Sequence, residues 1–290
     1  MSATEAGHLP VPGASLYYEV RGTGPALLVI AGGNGDAGPF GAVADELARR
    51  YTVITYDRRG FSRSVLDWPA DDARRLDEDV QDALALLDRF GDGPGVVLGS
   101  CSGATLALDL VVRHPERIET LVAHEPPVAA VLPDLDEWIE FYAAVYKTFR
   151  TEGVQEGMRV FRVGMGMTKP ARPPESAQLP QPQLEQMLAR IKRNHGYWLE
   201  HEMRTYSMFE PDIARLRTVT DRLVIAGGSD EQENHPYLCT VALAERLDQS
   251  VVDFPGGHVG YVTDPYTFAD ATIALLESRR TPSAAAVREA

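Results

Sequence analysis

Short apolar runs that alternate with segments of helical spacing restrict what this chain can become. The runs are Ala26 to Gly33, Tyr51 to Asp57, Gly95 to Gly99, Glu119 to Glu125, Asp221 to Gly228 and Ser250 to Phe254. Each is about strand length and apolar on both faces, the mark of a strand covered on both sides in a mostly parallel sheet. Residues 40–50, 78–90, 105–114, 236–247 and 267–280 carry apolar side chains three and four apart, which predicts the covering helices. The looser alternation of Ser15 to Gly22, ending in Gly-Thr-Gly-Pro, predicts an antiparallel edge strand. The expected fold class is therefore α/β, a mostly parallel sheet flanked by helices.

The alternation breaks once. Between Glu125 and Asp221 no strand-like run occurs, and two helical stretches, residues 136–163 and 184–203, are joined by the proline-rich link of residues 169–183. An all-helical insertion between two strands of a sheet is most simply a cap. The expected organisation is a core of residues 1–125 and 221–280, a helical cap of residues 126–220 and a loose tail of residues 281–290. A chain of 290 residues can bury an ample core without staples, and its two cysteines make no disulfide framework. No basic, apolar leader and no run of membrane-spanning length is present, so the expectation is a soluble, cytoplasmic protein. With 28 Lys plus Arg against 42 Asp plus Glu, a net charge of -14 opposes partnership with nucleic acid or an anionic membrane. A small-molecule substrate is the expected partner, and homo-oligomerisation is left open.

One turn carries chemistry. Val96 to Ala104 reads VVLGSCSGA, in which a buried strand meets a buried helix through Gly99-Ser100-Cys101-Ser102-Gly103. A nucleophile elbow strains its central residue, and the positions two before and two after must be small to avoid clashes. The side chain then projects above the sheet at a helix N-terminus, where the dipole favours an anion. Cys101 is the candidate nucleophile. Cys239, among apolar helix positions, reads as core.

With this turn the chain resembles the α/β-hydrolase superfamily, whose elbow is G-x-S-x-G with Cys as a variant and whose triad runs nucleophile, acid, histidine. The resemblance covers nearly the whole length. It implies Asp230 in Gly227-Gly228-Ser229-Asp230 as the acid and His258 in Phe254-Pro255-Gly256-Gly257-His258 as the base. Glu125, at the end of the strand Glu119 to Glu125, is the alternative acid, since some members place theirs there. The resemblance also implies an oxyanion hole from the N–H groups of Ser102 and Gly33, although Ala31 stands where many relatives have His. Tyr56 to Ser64 resembles a loop of the family and reads as structural. His124 reads as a packed strand-end residue.

Asn34, Met165 and Trp198 are candidate pocket residues, the last two from an aromatic and Met-rich cap suited to an apolar or aromatic acyl group. No Cys/His cluster has metal-ligand spacing, His195 and His201 included, so no metal or other cofactor is implied. The expected chemistry is acyl transfer through an acyl-cysteine. Hydrolysis of an ester, lactone or thioester leads. Passage of the acyl group to another acceptor, as an acyltransferase or cyclase, comes second because a thioester is more open than an oxygen ester to amines and thiols. A non-catalytic ligand-binding role on the same scaffold is the third reading.

Overall fold

The computed structural model describes residues 4–280, so the expected tail of residues 281–290 lies outside the described residues. The strands are β1 (Glu5–Val11), β2 (Ala14–Arg21), β3 (Ala26–Ile30), β4 (Thr52–Tyr56), β5 (Val65–Leu66), β6 (Gly95–Ser100), β7 (Ile118–His124), β8 (Leu223–Gly228) and β9 (Val252–Phe254). The helices are α1 (Gly41–Leu47), α2 (Arg75–Phe90), α3 (Ser102–Arg113), α4 (Leu135–Glu152), α5 (Val154–Gly164), α6 (Gln181–His201), α7 (Met203–Ser207), α8 (Ile213–Arg217), α9 (His235–Arg246), α10 (Gly260–Thr263) and α11 (Pro265–Arg280).

The strands form one sheet in the order β1-β2-β4-β3-β6-β7-β8-β9, with the short β5 on β2. From β4 to β9 all pairings are parallel, whereas β1, β2 and β5 pair antiparallel. The strand expected at the edge, β2, is antiparallel but lies one place in. The edge is β1, whose Gly7, His8 and Pro10 hide it as a strand, and Pro10 is tolerated because an edge strand has donors to spare.

Strand β3 shows why the sheet is covered twice. Leu28 and Ile30 enter the core beneath α2, α3 and α9, while Leu27, Val29 and Ala31 enter the core beneath α1 and α11. Successive side chains face opposite sides, so a strand buried on both must be apolar throughout. The strand order reverses between β3 and β6, and a crevice opens at such a switch point beyond the carboxyl ends of the strands. The loops after these two strands carry Gly33 and Cys101.

Helices α4 to α8 all lie in the single insertion between β7 and β8. Gly153, at φ 93°, breaks the first expected cap helix into α4 and α5. Tyr142, Val145, Met158, Met165, Trp198 and Met203 build a separate apolar cluster with Phe61 of the core. Not all of the insertion stands apart. Val128, Val131, Tyr206, Leu216 and Val219 pack in the core cluster that includes α3, so both ends of the insertion belong to the body beneath. Asn194 of α6 ties the cap to the crevice, donating to Asn34 O at 2.7 Å and to Ser62 Oγ at 2.7 Å.

Candidate active site

Cys101 has φ 54° and ψ −126°, a conformation that L-residues with a Cβ rarely adopt. The strain is held from both sides. The Cys101 N–H donates to His124 O at 3.0 Å, and Cys101 O accepts from Ala104 N at 2.8 Å. A Cβ on Gly99 would come 2.6 Å from Gly103 O, and one on Gly103 would press into the Ile30 and Ala31 carbonyls. Only glycine allows the turn to close this tightly over β3, and the closure lifts the thiol to the mouth of the crevice. Strained non-glycine backbone of this kind concentrates at functional sites.

Glu125 is a second such residue, at φ 49°. It follows β7 directly and is wholly buried, with its N–H donating to Ala226 O at 2.9 Å. Its Oε1 accepts from Gly228 N at 2.8 Å, and its Oε2 lies 2.5 Å from His258 Nδ1. Both carboxylate oxygens are therefore fixed, one by the end of β8 and one by the imidazole. Burial opposes its charge, but the His258 bond and the Gly228 N–H outweigh it and hold the carboxyl below its ordinary pKa.

Asp230, expected from the resemblance to be the acid, is not brought to the imidazole. Its side chain is exposed, and its Oδ1 accepts from the neighbouring Ser229 Oγ at 3.1 Å. The turn after β8 instead sends Glu231 inward, where Oε2 accepts from the His258 backbone N–H at 3.1 Å. The carboxylate that reaches Nδ1 comes from the preceding parallel strand. A glutamate there spans the gap that the turn at Asp230 directs away from.

His258 hydrogen-bonds the Cys101 thiol, and with Nδ1 engaged by Glu125 this contact falls to Nε2. Desolvation works against charge on both groups, but each favours the ionised form of the other. The thiol is held below its ordinary value, helped by the N–H groups of Ser102 and Gly33 that also point at Sγ. The imidazole is held well above its own, with Glu125 adding to the effect of Cys101. Both directions favour the charged forms, thiolate and imidazolium, over the neutral ones. The two N–H groups converging on Sγ are the pair expected from the sequence, one opening α3 and one from the loop after β3. A carbonyl oxygen on a carbon bonded to Sγ would lie within their reach.

The crevice holds a cavity of about 340 Å³ between cap and core. Asn34, Met165 and Trp198 all line it, with Met158, Phe161 and His195. Its size and mostly apolar wall suit a small ligand with few polar anchors. Burial, and secondarily Arg162, depresses His195 to about 4, so it faces the cavity as a neutral imidazole. His124 packs edge-on against Phe254 and Phe268, with centroids 6.0 and 5.4 Å away, and burial likewise lowers it to about 4. Cys239 is buried, its thiol pushed far up by desolvation, in contact with His235 Nε2 at 3.4 Å. It is core, chemically opposite to Cys101. His201 lies near the surface, with Nδ1 2.8 Å from Asp72. Among the described residues no group of His, Cys, Asp and Glu is arranged to hold a metal ion, and no helix is long and apolar enough to cross a membrane.

Gly33 is hemmed in by the cap. A Cβ there would come 2.6 Å from Trp198 Nε1 and 2.8 Å from its Cε2, so a side chain at position 33 must displace either Trp198 or the loop whose N–H is aimed at Sγ. Gly33→Ala is expected to lower kcat/KM for an activated ester on the order of tenfold to a hundredfold, approaching the loss of one oxyanion donor. Overpacking is expected to cost about 1–3 kcal/mol in thermal unfolding. Pairing it with Trp198→Leu should return part of the activity; no recovery would place the defect in the loop itself.

The family profile described as alpha/beta hydrolase fold matches residues 25–265. The uncharacterized hydrolase YraK of Bacillus subtilis (strain 168) is 35% identical over 280 residues, covering 94% of this chain and 97% of that one. Among solved structures, a thermophilic esterase from Thermogutta terrifontis is similar at a TM-score of 0.70 and 20% identity, over 96% of this chain and 100% of the other. An alpha/beta hydrolase from Sphaerobacter thermophilus is similar at a TM-score of 0.64 and 20% identity, over 93% of this chain and 100% of the other. At that identity the two structures share the fold with this chain.

Proposed function

Because the chain belongs to the α/β-hydrolase fold family, a hydrolase of that fold, we propose that it cleaves a small apolar or aromatic ester, lactone or thioester through an acyl-Cys101 intermediate. The observation that carries this reading is the chain of contacts Glu125–His258–Cys101, with the N–H groups of Gly33 and Ser102 directed at the same sulfur. The Cys101 thiolate attacks the carbonyl carbon, and the oxyanion is held by the two N–H groups. As the tetrahedral intermediate collapses, the bond to the leaving group breaks and imidazolium Nε2 gives that group its proton. Neutral His258 then takes a proton from water. The hydroxide attacks the thioester carbonyl, and the second collapse returns the thiolate and the imidazolium. Glu125 keeps Nδ1 protonated and offsets the imidazolium charge. The esterase named for the Thermogutta terrifontis structure is consistent with acyl chemistry on this scaffold.

The test is the reactivity of Cys101 against pH. A lowered thiol and a raised imidazole mean that the ion pair is lost by thiolate protonation at low pH and by imidazolium deprotonation at high pH. Iodoacetamide should therefore alkylate Cys101 at pH 6 at least about tenfold faster than it alkylates an ordinary thiol of pKa ~8.5. His258→Ala removes the largest influence lowering the thiol, and alkylation should then rise only toward alkaline pH. With p-nitrophenyl acetate, intact mass should show one acetyl group on Cys101 and none on Cys239. Equal labelling of both cysteines, or a pH profile indifferent to His258, would favour a ligand-binding role without catalysis.

The cysteine itself favours a second reading, transfer of the acyl group to an amine or thiol acceptor. A thioester reacts with such nucleophiles more readily than an oxygen ester does, relative to water. The two readings part on whether added acceptor raises turnover.

A further inference from the structure

Behind the Gly32–Gly33 peptide lies a buried cluster of charges that the chemistry above leaves unused. Arg58, in the loop after β4, is wholly buried. Its N–H donates to Gly35 O at 2.9 Å, and its Nη2 donates to Gly32 O at 3.2 Å, so one residue holds both ends of the loop that carries the Gly33 N–H. The guanidinium is held in turn. Nη2 also donates to Glu202 Oε2 at 2.5 Å, and Nη1 reaches Asp79 Oδ2 at 3.4 Å. Arg75 Nε donates to Glu202 Oε1 at 2.8 Å, and the Tyr206 hydroxyl donates to Asp79. Two guanidinium groups and two carboxylates thus balance inside the protein. Glu202 comes from the insertion, whereas Arg58, Arg75 and Asp79 come from the core beneath it.

We propose that Arg58 is a positioning residue for the oxyanion hole and that Glu202 makes its action depend on the seating of the cap. This rests on reading Cys101 as the nucleophile and the Gly33 N–H as an oxyanion donor. The Gly32 carbonyl and the Gly33 N–H belong to one planar peptide and point in opposite directions. A cation fixing the carbonyl on one side therefore fixes the N–H on the other, toward Sγ. A charge-assisted bond to that oxygen also polarises the amide, which strengthens the N–H as a donor. Glu202 supplies the anion that holds the guanidinium in place, so a displaced cap would loosen the peptide that the reaction depends on.

The Gly32 carbonyl also accepts from Gly35 N at 2.9 Å, so the peptide keeps one tether if Arg58 lets go. The expected effect is accordingly smaller than loss of a whole donor, on the order of tenfold. The variants to compare are Arg58→Lys and Arg75→Lys. Both keep the charge and disturb the same cluster, but only Arg58 touches Gly32. Two readouts separate positioning from general damage. Affinity for an aliphatic trifluoromethyl ketone, which forms a tetrahedral adduct with a thiolate, needs the oxyanion hole. Alkylation by iodoacetamide, a displacement at saturated carbon, does not.

Arg58→Lys should weaken the ketone at least about tenfold and leave the alkylation rate within about twofold. Arg75→Lys should change both by less than about threefold. The proposal is overturned if Arg58→Lys binds the ketone as the parent does, if Arg75→Lys loses as much, or if ketone affinity and alkylation fall together. Should Arg58→Lys not fold, Glu202→Asp keeps every charge and shortens the cap's reach. It should show the same split in smaller measure, and loss of both readouts together would again refute the proposal. Failure of the underlying reading looks different, because the unmodified protein would then resist alkylation at Cys101 and form no adduct with the ketone.

Discussion

Glu125→Gln is expected to lower the rate of Cys101 acylation by an activated ester by about 10²–10⁴, whereas Asp230→Asn should leave it within about twofold. The asymmetry follows from the two carboxylates' surroundings. Glu125 is buried, accepts from Gly228 N–H at 2.8 Å and meets His258 Nδ1 at 2.5 Å. An amide at that position can present its NH₂ to Nδ1, which favours the tautomer with the proton on Nε2. That tautomer cannot take a proton from the thiol. It also leaves the imidazolium without a counter-charge in a desolvated place, so the thiolate is lost along with the base. Asp230 is exposed and bonded to its neighbour Ser229, and removing its charge alters neither group. Stopped-flow release of p-nitrophenol from p-nitrophenyl acetate measures both. A large loss for Asp230→Asn with none for Glu125→Gln would return the acid to the turn after β8.

Which carboxylate meets His258 is not legible from local spacing. The alternation of apolar runs predicts the parallel strands β3, β4, β6, β7, β8 and β9, and for all but the edge strand β9 the reason is that strands covered on both faces tolerate little else. The elbow is legible for the same kind of reason, since Gly99 and Gly103 answer a steric demand that local spacing can display. Which carboxylate reaches His258 is decided by a different quantity, the distance across two parallel strands from a side chain to an imidazole on a third loop. Asp230, Glu231 and Glu125 are all carboxylates near strand ends. The hint in the sequence is that Glu125 lies just after the apolar run Leu121 to Ala123 and before Pro126 and Pro127, where an unpaired charge would be costly.

The cluster at Arg58 was still less legible. Its partners lie 21 residues away at Asp79 and 144 away at Glu202, and charged residues in a helical pattern ordinarily read as a solvated face. Only the packing of the insertion on the core turns them inward. The strand β1 was hidden for the opposite reason, because an edge strand accepts residues such as Pro10 that argue against a strand.

The choice of cysteine over serine at the elbow leads to the largest expected effect. Cys101→Ala should reduce esterase turnover by about 10⁴ or more, to what binding and the oxyanion hole give alone. Cys101→Ser is the more informative change. The Cys101 thiol is held below its ordinary value and the His258 imidazole above its own, each shifted toward its charged form by the other. A serine hydroxyl cannot supply the anion, so His258 loses the partner that raises it and must serve as a neutral base, with the proton moved during attack rather than before it. Acylation should fall by about 10³ or more, even though the elbow, the N–H groups of Gly33 and Ser102 and the Glu125–His258 contact stay in place. Deacylation should respond differently, because the intermediate becomes an oxygen ester. If the natural reaction passes the acyl group to an amine or thiol, the ratio of transfer to hydrolysis should drop in the serine variant. If water is the natural acceptor, both fluxes should fall while hydrolysis remains the dominant fate. Single-turnover acylation and product partitioning with an added amine give the two numbers, and a serine variant that acylates as fast as the parent would show that the thiolate is not what the site is built to use.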